Sequence, residues 1–337
     1  MKILLIGGTG NISSAVSKLL SEKENVELYL LNRGHKLIDY VPKDHQLVID
    51  INDEEKVATI LRGMEFDVVA NFVAFTIEDV ERDYRLFSGH TKQYVFVSSA
   101  SVYKKPVSDV YVTEGSAVKN PDWEYSQDKI ACERYLMGRF REDDYPVTIV
   151  RPSHTYSEES IPACVHGKVG SWQVAKRMMD GKQVIIHGDG TSIWTMTHSS
   201  DFAKGFVGLL GNARAIGETV QITSDEHLTW NQIYQSIADA LGVSMTAYHV
   251  ASDFLASCSS YDLKGTLLGD KAHTMIFDNS KLKSLVPDFV ATKRFDEGIR
   301  ETVDYIKEHP ELQIEDPEFD KWCDMMIFTL EQSKKLI

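Results

Sequence analysis

The chain has 337 residues, 43% of them apolar, and a formal net charge of −14 at neutral pH. That length supplies one sizeable α/β domain with a smaller companion. So acidic a balance argues against nucleic acid or an anionic membrane as a main partner, because both demand a basic face.

The N-terminal stretch "KILLIGGTGNISSAV" opens with an apolar run, Ile3 to Ile6, that reads as a buried strand and is too short for a signal peptide or a membrane span. Ser14 to Leu20 then carries apolar residues at helical spacing. A strand, a glycine turn and a helix bring backbone N–H groups together on an anion at the helix N-terminus. Gly8 and Gly10 take the first two positions of the dinucleotide pattern G-x-G-x-x-G, and Ser13 takes the third. That third glycine serves close helix–strand packing, where alanine is also accepted, so one extra oxygen weakens the pattern without removing it. The turn nominates Gly7, Gly8, Thr9, Gly10, Asn11 and Ile12 as cofactor contacts.

Strand-like runs recur at 26–31, 46–51, 67–75, 94–103 and 147–153, with helical stretches between them. Such alternation predicts an α/β fold: a doubly wound parallel sheet of the Rossmann type. Residues 1–152 are expected to form the dinucleotide-binding part. Residues 153–337 are expected to be mainly a smaller α/β substrate domain, with segments around 193–224 returning to the first core. Further strands are predicted at 182–191 and 218–224. A helix is predicted over 229–242, with Thr229 as N-cap and Gly242 as C-cap. The last thirty residues read as an acidic amphipathic helix packed on the body. Four cysteines with no C-x-x-C pair fit buried thiols in a reducing cytoplasm better than a disulfide frame. No metal site is expected.

The chemistry concentrates in "SSASVY" (98–103) and "EYSQDKIACERYL" (124–136). Tyr125 and Lys129 are four apart and share one helix face. An ammonium near a phenol favours the phenolate and lowers a pKa otherwise near 10. Such a tyrosine exchanges a proton with a substrate hydroxyl while a hydride moves to or from a nicotinamide. Ser99, at the end of a central strand, is placed to hydrogen-bond the same oxygen. Taken alone the pair is common on amphipathic helices; joined to the glycine turn it reads as function.

On these marks, with "RPSHTY" at 151–156 and "GDGTS" at 188–192, the chain resembles the extended short-chain dehydrogenase/reductase family, the NAD-dependent epimerase/dehydratase group, from residue 1 to about 306. The resemblance implies that Ser99, Tyr125 and Lys129 form the catalytic trio. It also implies that Lys129 holds the nicotinamide ribose and that Asp50 and Ile51 border the adenine, although Asp50 reads equally as a strand-end cap. Two departures matter. Trp194 stands where epimerases of the group carry an arginine that grips the nucleotide diphosphate. Ala100 and Ser101 follow Ser99 where the dehydratases have Asp-Glu, which counts against dehydration.

The second strand ends in "NRGHK" without the acid that binds the ribose of NAD. Asn32 offers a ribose contact and Arg33 a partner for a 2′-phosphate, which favours NADP over NAD, the alternative being a solvated turn. His154, Trp172 and Trp194 lie where a substrate is covered, with packing as the competing role for each. The expected activity is oxidation, reduction or epimerisation at a secondary alcohol or ketone of a sugar-like substrate. The alternative is a cofactor-sensing or RNA-binding protein that kept the fold and lost turnover. The expected partner is a small-molecule substrate, with no nucleic acid and no membrane; a homodimer is left open.

Overall fold

The computed structural model describes residues 1–36, 38–258 and 260–336. Seven strands form one parallel sheet: β1 (Lys2–Ile6), β2 (Glu27–Asn32), β3 (Gln46–Val48), β4 (Val68–Asn71), β5 (Tyr94–Val97), β6 (Val147–Pro152) and β7 (Thr219–Ile222). Their order across the sheet is β7-β6-β5-β4-β1-β2-β3. The sheet reverses direction of growth between β1 and β4, and in such sheets ligands bind beyond the carboxyl ends at that switch point.

Residues of β1 alternate between two cores, as a strand covered on both faces requires. Ile3 and Leu5 pack with Val16 and Leu20 of helix α1 (Ser13–Ser21), and with Phe202 and Phe206 of the helix Ser199–Leu209. Leu4 and Ile6 pack on the opposite side with Val57, Val80 and Leu136. These come from α2 (Glu54–Ile60), α3 (Ile77–Phe87) and α4 (Glu124–Asp143). Both the helix at 199–209 and strand β7 therefore sit on the main sheet, β7 in register with β6. A third core, built mainly from residues after 155, includes Trp194, Trp230, Tyr234 and Phe319.

Several strands are shorter than their apolar runs. β4 stops at Asn71, whose side chain accepts the Val73 N–H at 2.7 Å and turns the chain. β5 stops at Val97, and Ser99 caps a 3₁₀ turn over Ala100–Val102 by accepting the Ser101 N–H at 3.1 Å. The run at 182–191 forms a strand only over Val184–His187, outside the main sheet and parallel to Ala247–Val250. The predicted helix is found over Trp230–Leu241, with Thr229 and Gln232 in a capping box and Gly242 left-handed at its end. The last helix, Pro317–Lys334, buries Phe319, Trp322 and Cys323.

Candidate active site

The glycine turn follows β1. Gly7 has φ +76°, a region open to glycine at no steric cost. A Cβ on Gly8 would lie 2.7 Å from the Leu30 side chain, so the turn passes where only hydrogen fits. Ser13, 2% exposed, ties this turn together. Its hydroxyl donates to the Gly7 carbonyl at 2.5 Å and accepts the Gly10 N–H at 2.9 Å. Ser17 adds a bond to the Gly8 carbonyl at 2.9 Å. Among the described residues, the amides of Asn11 and Ile12, just before the first turn of α1, find no protein partner, an arrangement that suits a pyrophosphate.

Parallel register sets the other candidates along the same edge. Ile6 is level with Leu31 and with Asn71, and Asn71 with Phe96. Asn32 closes β2, where its Oδ1 accepts the Gly34 N–H at 3.0 Å. Arg33 is exposed and has no ion-pair partner among the described residues. Asp50 is exposed and accepts the Asn52 N–H at 2.9 Å, the cap that its strand-end position allowed. Ile51 is buried beside it.

Helix α4 carries Tyr125 and Lys129 across the ends of β4 and β5. The Lys129 ammonium, 2% exposed, donates to the Ala74 carbonyl at 2.6 Å and the Val97 carbonyl at 2.8 Å. Burial pulls its pKa down to about 8. The ammonium is 5.8 Å from the centroid of the Tyr125 ring. Contrary to the lowering expected from the nearby ammonium, the Tyr125 pKa is raised, because burial outweighs the opposing pull of the Ser99 hydroxyl. The helix is locked to β6 by a buried bidentate pair, Arg151 to Glu133 at 2.8 and 2.5 Å, and Ser98 donates to the same carboxylate at 2.6 Å.

A cavity of about 280 Å³ collects these groups: Ile12 of the glycine turn, Ser99 and Tyr125 line it, with His154, Trp194 and Lys271. A second cavity of about 560 Å³ shares His154, Thr155 and Lys271 and runs past Asn11 and His166 toward Lys168. Desolvation pushes the His154 pKa down to about 3, so its imidazole is neutral near pH 7. Trp194, 1% exposed, lies at 6.4 Å and 27° to Trp230, and its indole N–H has no partner among the described residues. Trp172 is not brought to either cavity; it packs in the third core at the start of the helix Trp172–Met179.

Sequence reading missed Trp123, Asp270 and Lys271. Trp123 stands 5.0 Å from the Tyr125 ring, and Asp270 and Lys271 close the cavity from a π turn over Leu267–Lys271. Only the acidic-basic doublet itself was visible, more than 140 positions from Tyr125 in the chain. No group of three or more potential metal ligands occurs among the described residues.

A glycine turn on a doubly wound sheet, opening into the cleft that holds Ser99 and Tyr125, defines a dinucleotide-binding α/β enzyme. The model of the NAD dependent epimerase/dehydratase family matches residues 3–223, and the chain belongs to that family, whose members are oxidoreductases and epimerases. Among curated relatives, 2'-dehydrokanamycin reductase of Streptomyces kanamyceticus is 24% identical over 303 residues, 86% of this chain and 80% of the relative. Chloroplast stem-loop binding protein of 41 kDa b of Arabidopsis thaliana is 26% identical over 254 residues, 72% of this chain and 63% of the relative. Among solved structures, UDP-glucuronic acid 4-epimerase from Bacillus cereus in complex with NAD superposes with a TM-score of 0.73 at 20% identity, covering 91% of this chain and 99% of that one. No helix among the described residues is long and apolar enough to cross a membrane.

Proposed function

We propose that this chain is an NAD(P)-dependent oxidoreductase or epimerase acting at a secondary alcohol or ketone of a sugar-like small molecule. The observation that carries the reading is the shared cavity: Ser99 and Tyr125 face one space of about 280 Å³ whose wall includes Ile12 of the glycine turn. The bound nicotinamide supplies or accepts the hydride. Tyr125 exchanges the proton with the substrate oxygen, and Ser99 holds that oxygen in place. With its pKa raised by burial, Tyr125 stays a phenol at neutral pH, the form that donates to a carbonyl being reduced. The Lys129 ammonium, 5.8 Å from the ring centroid and held by the Ala74 and Val97 carbonyls, places positive charge behind Tyr125.

NADP is the preferred cofactor in this reading. Arg33 has no ion-pair partner among the described residues at the tip of β2, and residues 32–36 hold no carboxylate. The substrate carries no nucleotide diphosphate, because no arginine is found among the described residues lining either cavity. Trp123 instead offers a flat apolar face to a ring, with Trp194 buried in the wall behind. A non-catalytic, RNA-binding role is disfavoured by the charge of −14 and by the complete Ser99, Tyr125 and Lys129 set.

The experiment is a panel of free sugars, polyols, simple ketones and nucleotide sugars, followed at the reduced-nicotinamide absorbance band. Epimerisation is assayed in parallel, since a returned hydride leaves no net absorbance change. Turnover of a sugar, polyol or ketone without a nucleotide that disappears in Tyr125→Phe supports the proposal. Efficient turnover of nucleotide sugars alone contradicts its substrate part, and turnover undiminished in Tyr125→Phe contradicts its mechanism.

A further inference from the structure

Three charged side chains that the proton chemistry leaves unused meet beside the cavities: Lys271 lines both, Asp270 the smaller, and Lys105 pairs with Asp270 without lining either. The Lys105 ammonium lies 3.2 Å from one oxygen of Asp270, and the Lys271 ammonium lies 3.5 Å from the other. Their side chains are 3%, 9% and 13% exposed for Lys105, Asp270 and Lys271. Lys105 also donates to the carbonyls of Ser101 and Tyr103 at 3.1 and 3.4 Å, which leaves it well satisfied. Lys271 shares the one carboxylate and has no other hydrogen-bond acceptor among the described residues. The cluster therefore holds two ammonium groups against one carboxylate, a surplus positive charge nearly out of water inside a chain that is acidic overall. Charges in that setting are costly unless paired.

The root of Lys271 is fixed with unusual care. Its backbone carbonyl accepts three hydrogen bonds, from His187 Nε2 at 3.0 Å, Trp230 Nε1 at 3.1 Å and Ser192 Oγ at 3.2 Å. The π turn and the helical turn Lys264–Thr266 before it press on Trp123: a Cβ on Gly269 would lie 2.9 Å from the Trp123 Cβ, and one on Gly265 2.2 Å from its indole. Asn120 bolts the turn to the catalytic loop, donating to the Gly269 and Ser101 carbonyls at 2.7 Å each. π turns inside helical segments are frequent at functional sites, and a binding group is held best on a root that does not move. The ammonium itself stays on the cavity side, 5.7 Å from the Trp123 ring.

We propose that Lys271 is the specificity-determining cation of the cleft, receiving one compact anionic group of the substrate, a carboxylate or a phosphate monoester. This inference rests on the sugar-like reading of the same cleft. A single ammonium with no arginine beside it suits one such group rather than a diphosphate.

The test is binding of glucose, glucuronate and glucose 6-phosphate, by calorimetry, to the protein with and without reduced cofactor. Wild type should bind glucuronate or glucose 6-phosphate about tenfold or more tighter than glucose, and the stronger of the two identifies the anion. Lys271→Met should erase that difference, while Lys271→Arg retains most of it. Equal binding of charged and uncharged sugars by wild type, no binding of any of the three, or an undiminished difference in Lys271→Met overturns the inference. Cofactor titrations on the same samples keep the two readings apart. Failure to bind cofactor sinks the proposed function, whereas intact cofactor binding with no charge preference sinks only the role of Lys271.

Discussion

The Ser13 hydroxyl accepts the Gly10 N–H at 2.9 Å and donates to the Gly7 carbonyl at 2.5 Å, so a side chain now braces the turn that a third glycine would leave to packing alone. Removing it costs two part-buried hydrogen bonds, each worth about 1 kcal/mol net. Ser13→Ala is expected to lower unfolding free energy by roughly 1–3 kcal/mol, measured by denaturant titration. A stability equal to wild type would mean that the brace is incidental.

Gly10→Val should abolish dinucleotide binding with the fold retained. A Cβ at Gly10 would stand 3.3 Å from Ser13 Oγ, and the larger side chain fills the space through which a pyrophosphate reaches the backbone. Calorimetric titration of cofactor into the variant, with circular dichroism to verify folding, decides it.

Arg33→Ala should narrow the preference for NADP over NAD by about ten- to a hundredfold, the equivalent of a charge-assisted hydrogen bond of roughly 1.5–3 kcal/mol. Paired titrations of both cofactors into wild type and variant measure this. An identical ratio in the two proteins would leave Arg33 as a solvated turn residue.

His187, 1% exposed, has its pKa pushed down to about 4 by desolvation, against an ordinary value of 6.5. Its folded state therefore binds fewer protons than its unfolded state between those values, so stability is present above pH 6.5 and is lost as pH falls toward 4. The loss is at most roughly 3 kcal/mol. Denaturant unfolding at pH 7 and pH 5 should show wild type weakening more than His187→Asn; equal slopes would remove His187 from the account.

Legibility followed distance along the chain. The order of β1, turn and α1, the strand sequence and the pairing of Tyr125 with Lys129 are local patterns of period 2 or 3.6, and they were readable. The capping box at Thr229 was half visible, as its N-cap. What escaped depends on contacts across the fold. That Lys129 would spend its protons on the Ala74 and Val97 carbonyls follows from how α4 crosses β4 and β5. That the 182–191 run leaves the main sheet depends on its pairing with Ala247–Val250. The arrival of Asp270 and Lys271 beside Tyr125 rests on a π turn that carries no sequence signature.

The central claim, that this cleft binds a nicotinamide dinucleotide against Tyr125, is tested most directly by energy transfer from tryptophan to reduced nicotinamide. Trp123 stands 5.0 Å from the Tyr125 ring, so bound NADPH should quench tryptophan emission and gain its own, saturably, in wild type and in Tyr125→Phe. Gly10→Val should show neither change, and Trp123→Phe should bind with reduced transfer. Wild-type emission unmoved by saturating NADPH and NADH alike would contradict the account at its root.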